Sequence, residues 1–210
     1  VALILNKTNM KKIIFTVAAI FAFGFANAQD KKEGSGMGFA KGDIFITGAF
    51  NVSGTNNKNN DVKTSSFEIA PQVNFFLTNN ITLGAMISYR SDKAENATVD
   101  TQDDATLGIG LAGRYYFTPA NQFSIFAELG AEYNTTEDKL ANPSFKVNGF
   151  GVAFAPGLNY HLSNHFSIEA KWAVLGFASA KADVTGAENV TAFQFGADLR
   201  DLSIGLNYKF

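Results

Sequence analysis

From residue 42 onward, apolar side chains return at every second position. In 67–77, Phe67, Ile69, Pro71, Val73, Phe75 and Leu77 fall on one face; Glu68, Ala70, Gln72, Asn74 and Phe76 fall on the other. In 123–133, Phe123, Ile125, Ala127, Leu129, Ala131 and Tyr133 oppose Ser124, Phe126, Glu128, Gly130 and Glu132. Successive side chains of an extended chain point to opposite sides, whereas a helical stripe repeats about every 3.6 residues. The pattern therefore dictates an all-β fold of two-faced strands. Eight such segments can be marked, at about 43–53, 65–77, 81–91, 106–117, 122–134, 146–162, 166–177 and 193–210.

The connections alternate in length. Thr78-Asn79-Asn80, Thr118-Pro119-Ala120-Asn121 and Ser163-Asn164-His165 are short and made of turn-forming residues. The stretches 54–64, 92–105, 135–145 and 178–192 are long and polar. Alternating strands with short turns at one end and long loops at the other are the signature of an antiparallel, up-and-down transmembrane β-barrel. With an even strand number, both chain ends lie on the short-turn, periplasmic side. A soluble eight-stranded barrel also alternates, but it turns its polar face to water. Here the polar set holds small residues, as in Gly108, Gly110, Ala112, Gly149, Gly151, Ala153, Ala155 and Gly157. The apolar set holds the bulk, as in Phe150, Val152, Phe154, Leu158 and Tyr160. Eight strands leave a narrow interior. The large groups therefore belong outside, and an apolar exterior requires lipid. Closure removes the unpaired edge that hydrocarbon does not tolerate.

The N-terminal residues fit this destination. Met10-Lys11-Lys12 precedes the apolar stretch Ile13 to Phe25, and Ala26-Asn27-Ala28 forms a small-residue cleavage site. That is a secretory signal peptide. Residues 1–9 precede a natural start methionine. The expected organisation is 1–28 upstream residues and cleaved signal, 29–41 a flexible leader, and 42–210 the barrel. The cleaved part carries Lys7, Lys11 and Lys12 and no acid, which leaves 14 basic and 19 acidic residues, a net charge of −5. Low charge and 21 Phe argue against a disordered or nucleic-acid-binding chain. The absence of cysteine excludes disulfides, thiolate chemistry and cysteine-held metal.

Aromatic residues gather at both boundaries. Phe75, Tyr115, Phe117, Phe123, Tyr160, Phe166 and Tyr208 lie near the short turns. Phe50, Phe67, Tyr89, Tyr133 and Phe150 lie near the long loops, with Trp172 and Phe193 as further candidates. Such girdles are expected at the two faces of a membrane. The chain ends with Ile204, Leu206, Tyr208 and Phe210 at alternate positions. This ending looks like the signal by which outer-membrane proteins are recognised by the barrel-assembly machinery. Together with the export signal and the hairpin pattern, it makes residues 42–210 resemble the small eight-stranded outer-membrane β-barrel family, of the OmpX, OmpW and OmpA-transmembrane-domain type. The resemblance implies the fold, the outer membrane of a Gram-negative cell and the assembly route; it implies no substrate. Nothing follows Phe210, so the peptidoglycan-binding domain of full-length OmpA is not expected.

Inward positions carry Glu68, Arg90, Arg114, Glu128, Glu132, Glu169, Lys171 and Lys209. Charges in a confined interior must pair or be hydrated. Pairing Leu77 with Ile81 sets Glu68 opposite Arg90. Pairing Phe117 with Phe123 sets Arg114 opposite Phe126 and diagonal to Glu128. The expected result is a salt-bridged plug, with a gated narrow pore as its alternative.

No catalytic residue, cofactor or metal site is expected. The two histidines, His161 and His165, lie at the third short turn, away from external lipid. Their spacing gives no shared face on a strand. Gly108-Ile109-Gly110-Leu111-Ala112-Gly113 matches a dinucleotide fingerprint in letters only, since no helix follows. Asp92, Glu95, Asp100, Asp103 and Asp104 make the second loop acidic without calcium-loop spacing. They read as a solvated loop or as a site shared with divalent cations and lipopolysaccharide. Pro71 and Pro156 interrupt the hydrogen-bond ladder, as a bulge or as a lateral opening.

The function read from these features is a structural role in envelope integrity or surface-loop interaction. The alternative is a narrow porin-like channel or a conduit for small hydrophobic molecules. Partners are outer-membrane lipids, lipopolysaccharide and the assembly machinery, with an external partner through the loops. A closed barrel predicts that unboiled protein migrates differently from boiled protein on a denaturing gel; one mobility under both conditions would contradict closure.

Overall fold

The computed structural model describes residues 36–97, 99–141, 144–196 and 202–210. Residues 1–28, expected to be upstream residues and a cleaved signal, lie outside the described residues. The strands are β1 (Ile44–Asn57), β2 (Val62–Phe76), β3 (Ile81–Asn96), β4 (Val99–Tyr116), β5 (Phe123–Asp138), β6 (Phe145–His161), β7 (Phe166–Trp172), β8 (Leu175–Ala182), β9 (Val190–Phe195) and β10 (Leu202–Lys209). Consecutive strands from β1 to β6 pair antiparallel, β6 pairs with both β7 and β8, and β10 joins β7 to β1. The sheet is thus a closed eight-stranded antiparallel barrel. Its seventh strand is divided into β7 and β8, and the described parts of its eighth are β9 and β10.

The division of the seventh strand has a chemical cause. Gly157 pairs with Lys171 and Phe154 pairs with Leu175, so four steps on one strand face three on the other. Pro156 lies in that interval and has no N–H for the ladder. The extra residue is absorbed there as a bulge. At Pro71 the β2–β3 ladder skips from Ile69–Tyr89 to Gln72–Met86 without a change of register. Each proline costs ladder bonds, but neither opens the wall at its own position.

The long connections differ from the expected loops. β1–β2, β3–β4 and β5–β6 continue as paired strands to Asn57–Val62, Asn96–Val99 and Asp138–Phe145. Strand pairing satisfies the backbone after the chain leaves lipid, and cross-strand side chains reinforce it. Thr55 and Thr64 hydroxyls meet at 2.7 Å, and Lys93 lies 3.5 Å from Asp103.

The faces divide by polarity. Arg114, Asn74, Asn159, Asn207, Gln72 and Glu169 are buried inside, whereas Leu83, Leu111, Leu129, Leu158, Ile168 and Leu206 are exposed on the outer wall. The aromatics near the short turns all belong to that outer set. Trp172 is a correction: it pairs with Leu202 midway along the divided strand and not at the long-hairpin boundary.

A second correction concerns residues 36–41, expected to be flexible leader. Phe39 is buried at the short-turn end among Phe45, Phe76 and Tyr116, with ring centroids 4.7, 5.0 and 5.4 Å away. Its N–H donates to the Pro119 carbonyl at 2.8 Å. Lys209 Nζ donates to the Gly38 carbonyl and lies 3.8 Å from Asp43. The interior at this end is aromatic rather than small and hydrophilic. A Phe39→Ala substitution should destabilise the barrel by about 3 kcal/mol, the scale of a buried Phe truncation, as read from the urea midpoint in lipid vesicles. An unchanged midpoint would show that Phe39 contributes no packing.

Candidate functional site

Two layers of side chains fill the lumen above the short turns, and a cavity lies over them. The lower is the aromatic cluster. Its strand members, Phe45, Phe76, Tyr116 and Phe126, occupy inward positions of four strands. Gly157 makes room for Phe126, because a Cβ there would strike the Phe126 ring.

Above it lies a layer of charge. The register places Arg114 opposite Glu128, and Tyr116 opposite Phe126. This corrects the expected register by two residues, because Phe117 N–H donates to the Ile125 carbonyl rather than pairing around Phe123. Ser124 Oγ turns back to the Thr118 carbonyl and widens the turn. Arg114 donates through Nε to Glu128, and through Nη1 and Nη2 to the two oxygens of Glu169 at 2.8 and 3.1 Å. Its guanidinium also lies 4.8 Å from the centroid of the Phe126 ring. Lys171 Nζ donates to the other Glu128 oxygen at 2.6 Å. Two cations thus meet two carboxylates in a bidentate geometry that suits arginine.

Neutral side chains complete the layer. Asn207 Nδ2 donates to Glu169 at 3.0 Å and to Asn159 at 2.8 Å, and Gln72 Nε2 reaches Asn74 at 2.8 Å. These amides were not named as functional in the sequence, although alternation places them inward. The layer joins β2, β4, β5, β6, β7 and β10 across the lumen.

The remaining charges lie higher. Glu68 is opposite Arg90, but Arg90 Nε donates to Asp92 at 2.8 Å on its own strand. Glu132 accepts from Ser88 Oγ at 2.8 Å and joins no ion pair among the described residues. At the other end, His161 is buried with its ring 4.5 Å from that of Phe39. His165 Nδ1 lies 2.8 Å from the Lys209 carbonyl oxygen.

Over the charge layer is a cavity of about 600 Å³. Glu128 and Lys171 form its floor, and Ala112, Gly130 and Ala153 form a low wall of small residues. Ala192, Gln194 and Ser203 line its side on β9 and β10. Beside them lies the seam between the first and last strands: among the described residues, β1 pairs with β10 from Phe45–Lys209 to Ala49–Gly205. Among the described residues, Phe50–Asn57 of β1 pair with β2 alone, and β9 pairs with β8 alone. Phe50, Val52, Val190, Phe193, Phe195 and Ile204 flank this seam and are 66–81% exposed. Leu111, on the fully paired wall, is 61% exposed.

A family described as outer membrane protein beta-barrel domain matches residues 15–210. The chain belongs to this family. The wall of bulky apolar residues accordingly faces the lipid of the outer membrane, the short turns face the periplasm, and the long hairpins face outward. The fold is similar to that of OprG from Pseudomonas aeruginosa, with TM-score 0.51 and 18% identity over 83% of this chain and 98% of that one. It is also similar to the Neisserial surface protein A, with TM-score 0.46 and 17% identity over 82% of this chain and 99% of the other. No curated protein matches the sequence.

Arg114→Met should lower stability by about 3 kcal/mol, since Glu169 would then remain buried without its cation. Urea unfolding in vesicles, followed by the heat-dependent gel shift, measures this. A loss below about 1 kcal/mol would show that the pair behaves as an exposed one.

Proposed function

We propose that this barrel is a lateral conduit for small hydrophobic molecules. A solute would enter the lumen from outside, rest in the cavity and leave through the seam into the outer leaflet. The observation that carries this reading is the cavity over the charge layer, whose side is lined by Ala192, Gln194 and Ser203 of β9 and β10, beyond the last described β1–β10 pair at Ala49–Gly205. The volume of about 600 Å³ suits a small molecule. The charge layer and the aromatic cluster beneath it oppose onward passage to the periplasm, so the geometry favours a sideways exit over a through-pore.

A non-enzymatic role is part of the proposal. Both histidines sit at the periplasmic end, far along the strands from the external leaflet, and His161 is 1% exposed. Outer-membrane lipid and lipopolysaccharide surround the seam in this reading. Ile204, Leu206, Tyr208 and Phe210 serve the barrel-assembly machinery during biogenesis. A role in envelope integrity draws support from the cross-lumen charge layer, and the two roles are compatible.

The chain lacks cysteine, so a test pair is easily introduced. Cysteines at Phe50 and Phe193, bridged by a bis-maleimide, should abolish transfer of an apolar fluorescent dye into vesicles containing the protein. The singly substituted, capped proteins should transfer it. Undiminished transfer through a bridged seam would refute the conduit.

A further inference from the structure

We propose that the lumen cavity selects apolar molecules bearing an ammonium group, with the Glu132 carboxylate as their counter-charge. This inference rests on the conduit reading and assigns its substrate class.

The floor of the cavity is electrically balanced. Arg114 is held by Glu128 and Glu169, and Lys171 by Glu128. Glu132, which also lines the cavity, has no such counter-charge among the described residues. Its carboxylate crosses the inner face of β4 to accept a hydrogen bond from Ser88 on β3. The crossing depends on Gly108: a Cβ there would collide with Glu132 Oε1 and Ser88 Oγ. One neutral hydroxyl thus positions the carboxylate without neutralising it. A partly buried carboxylate gains most from a cationic hydrogen-bond donor.

The approach has the same sign. Asp104 lies in register with Asp92 on one side and with Asp138 on the other, on the lumen-facing row of the outer mouth. Each already has a partner. Arg90 binds Asp92, Gln102 binds Asp104 at 2.7 Å, and the N–H groups of Leu140 and Ala141 donate to Asp138 at 2.9 and 3.2 Å. These aspartates therefore act through their field rather than as ligands. A negative rim over a low-dielectric passage concentrates cations and repels carboxylates. Below it, Met86, Ala112 and Ala153 offer the apolar surface that the rest of such a molecule needs.

Three probes of equal length separate the contributions: hexylammonium, hexanol and hexanoate. Calorimetric titration of the full barrel in uncharged-lipid nanodiscs, corrected for empty discs, should rank them in that order. Hexylammonium should bind at least about tenfold more tightly than hexanol, the scale of a charge-assisted hydrogen bond. Glu132→Gln should bring that ratio near one, and Gly108→Ala, which keeps the charge but displaces it, should reduce the ratio. The heat-dependent gel shift confirms folding of each variant. A wild-type ratio near one would overturn the ammonium assignment whatever the variants do. Seam-dependent transfer of hexanol in that case would leave the conduit standing. Failure of all three probes to bind would overturn both.

Discussion

Hydrocarbon offers no hydrogen bonds to a peptide backbone, and that deficiency governs this molecule. Each N–H and C=O at membrane depth must find another strand, so the sheet has to close. Closure here is achieved by β10 pairing with β1 and β5 pairing with β6. Side-chain bulk then follows the geometry of a narrow tube. Most large apolar groups lie outside, where lipid receives them, and above the aromatic cluster the inside is left to small and polar residues. Among the described residues, the pairing of β1 with β10 ends at Ala49–Gly205, in the half of the wall nearer the long hairpins, and strongly exposed apolar side chains, Phe50 and Val52 of β1 and Val190, Phe193 and Phe195 of β9, gather beyond it.

The interior solves a different problem. A tube lined with polar groups would fill with water and conduct unless those groups were satisfied by one another. Arg114 supplies donors to two carboxylates from two strands, and Glu128 draws in Lys171 from a third. The hub is supported from below by aromatic rings, one of them from a segment preceding the first strand. Smaller residues begin immediately above, which is why the cavity forms there and not lower. The same glycines and alanines that permit close wall packing also leave the space a solute would occupy.

Much of this was legible in the residues. Alternation gave the strands, their two faces and the inward set of charges, because a period of two admits no other placement. The register of Glu68 with Arg90 followed from a tight turn at Thr78–Asn80. The register of Arg114 did not, because the turn after Phe117 is widened by Ser124 and Thr118 in a way that turn composition does not announce. Phe39 escaped notice because it lies among glycines and lysines, where local sequence suggests mobility; its burial is decided by rings distant in the chain. The β1–β10 register was also hidden, because it joins strands from opposite ends of the chain with no turn between them.

The central claim is that alternate residues face acyl chains and the lumen. Nitroxide labels placed singly along β4, from Gly108 to Tyr115, test it through relaxation by lipid-soluble oxygen. The account requires strong oxygen relaxation at Ile109, Leu111, Gly113 and Tyr115, and weak relaxation at Gly108, Gly110, Ala112 and Arg114. A reversed pattern, or uniform relaxation along the strand, would contradict it.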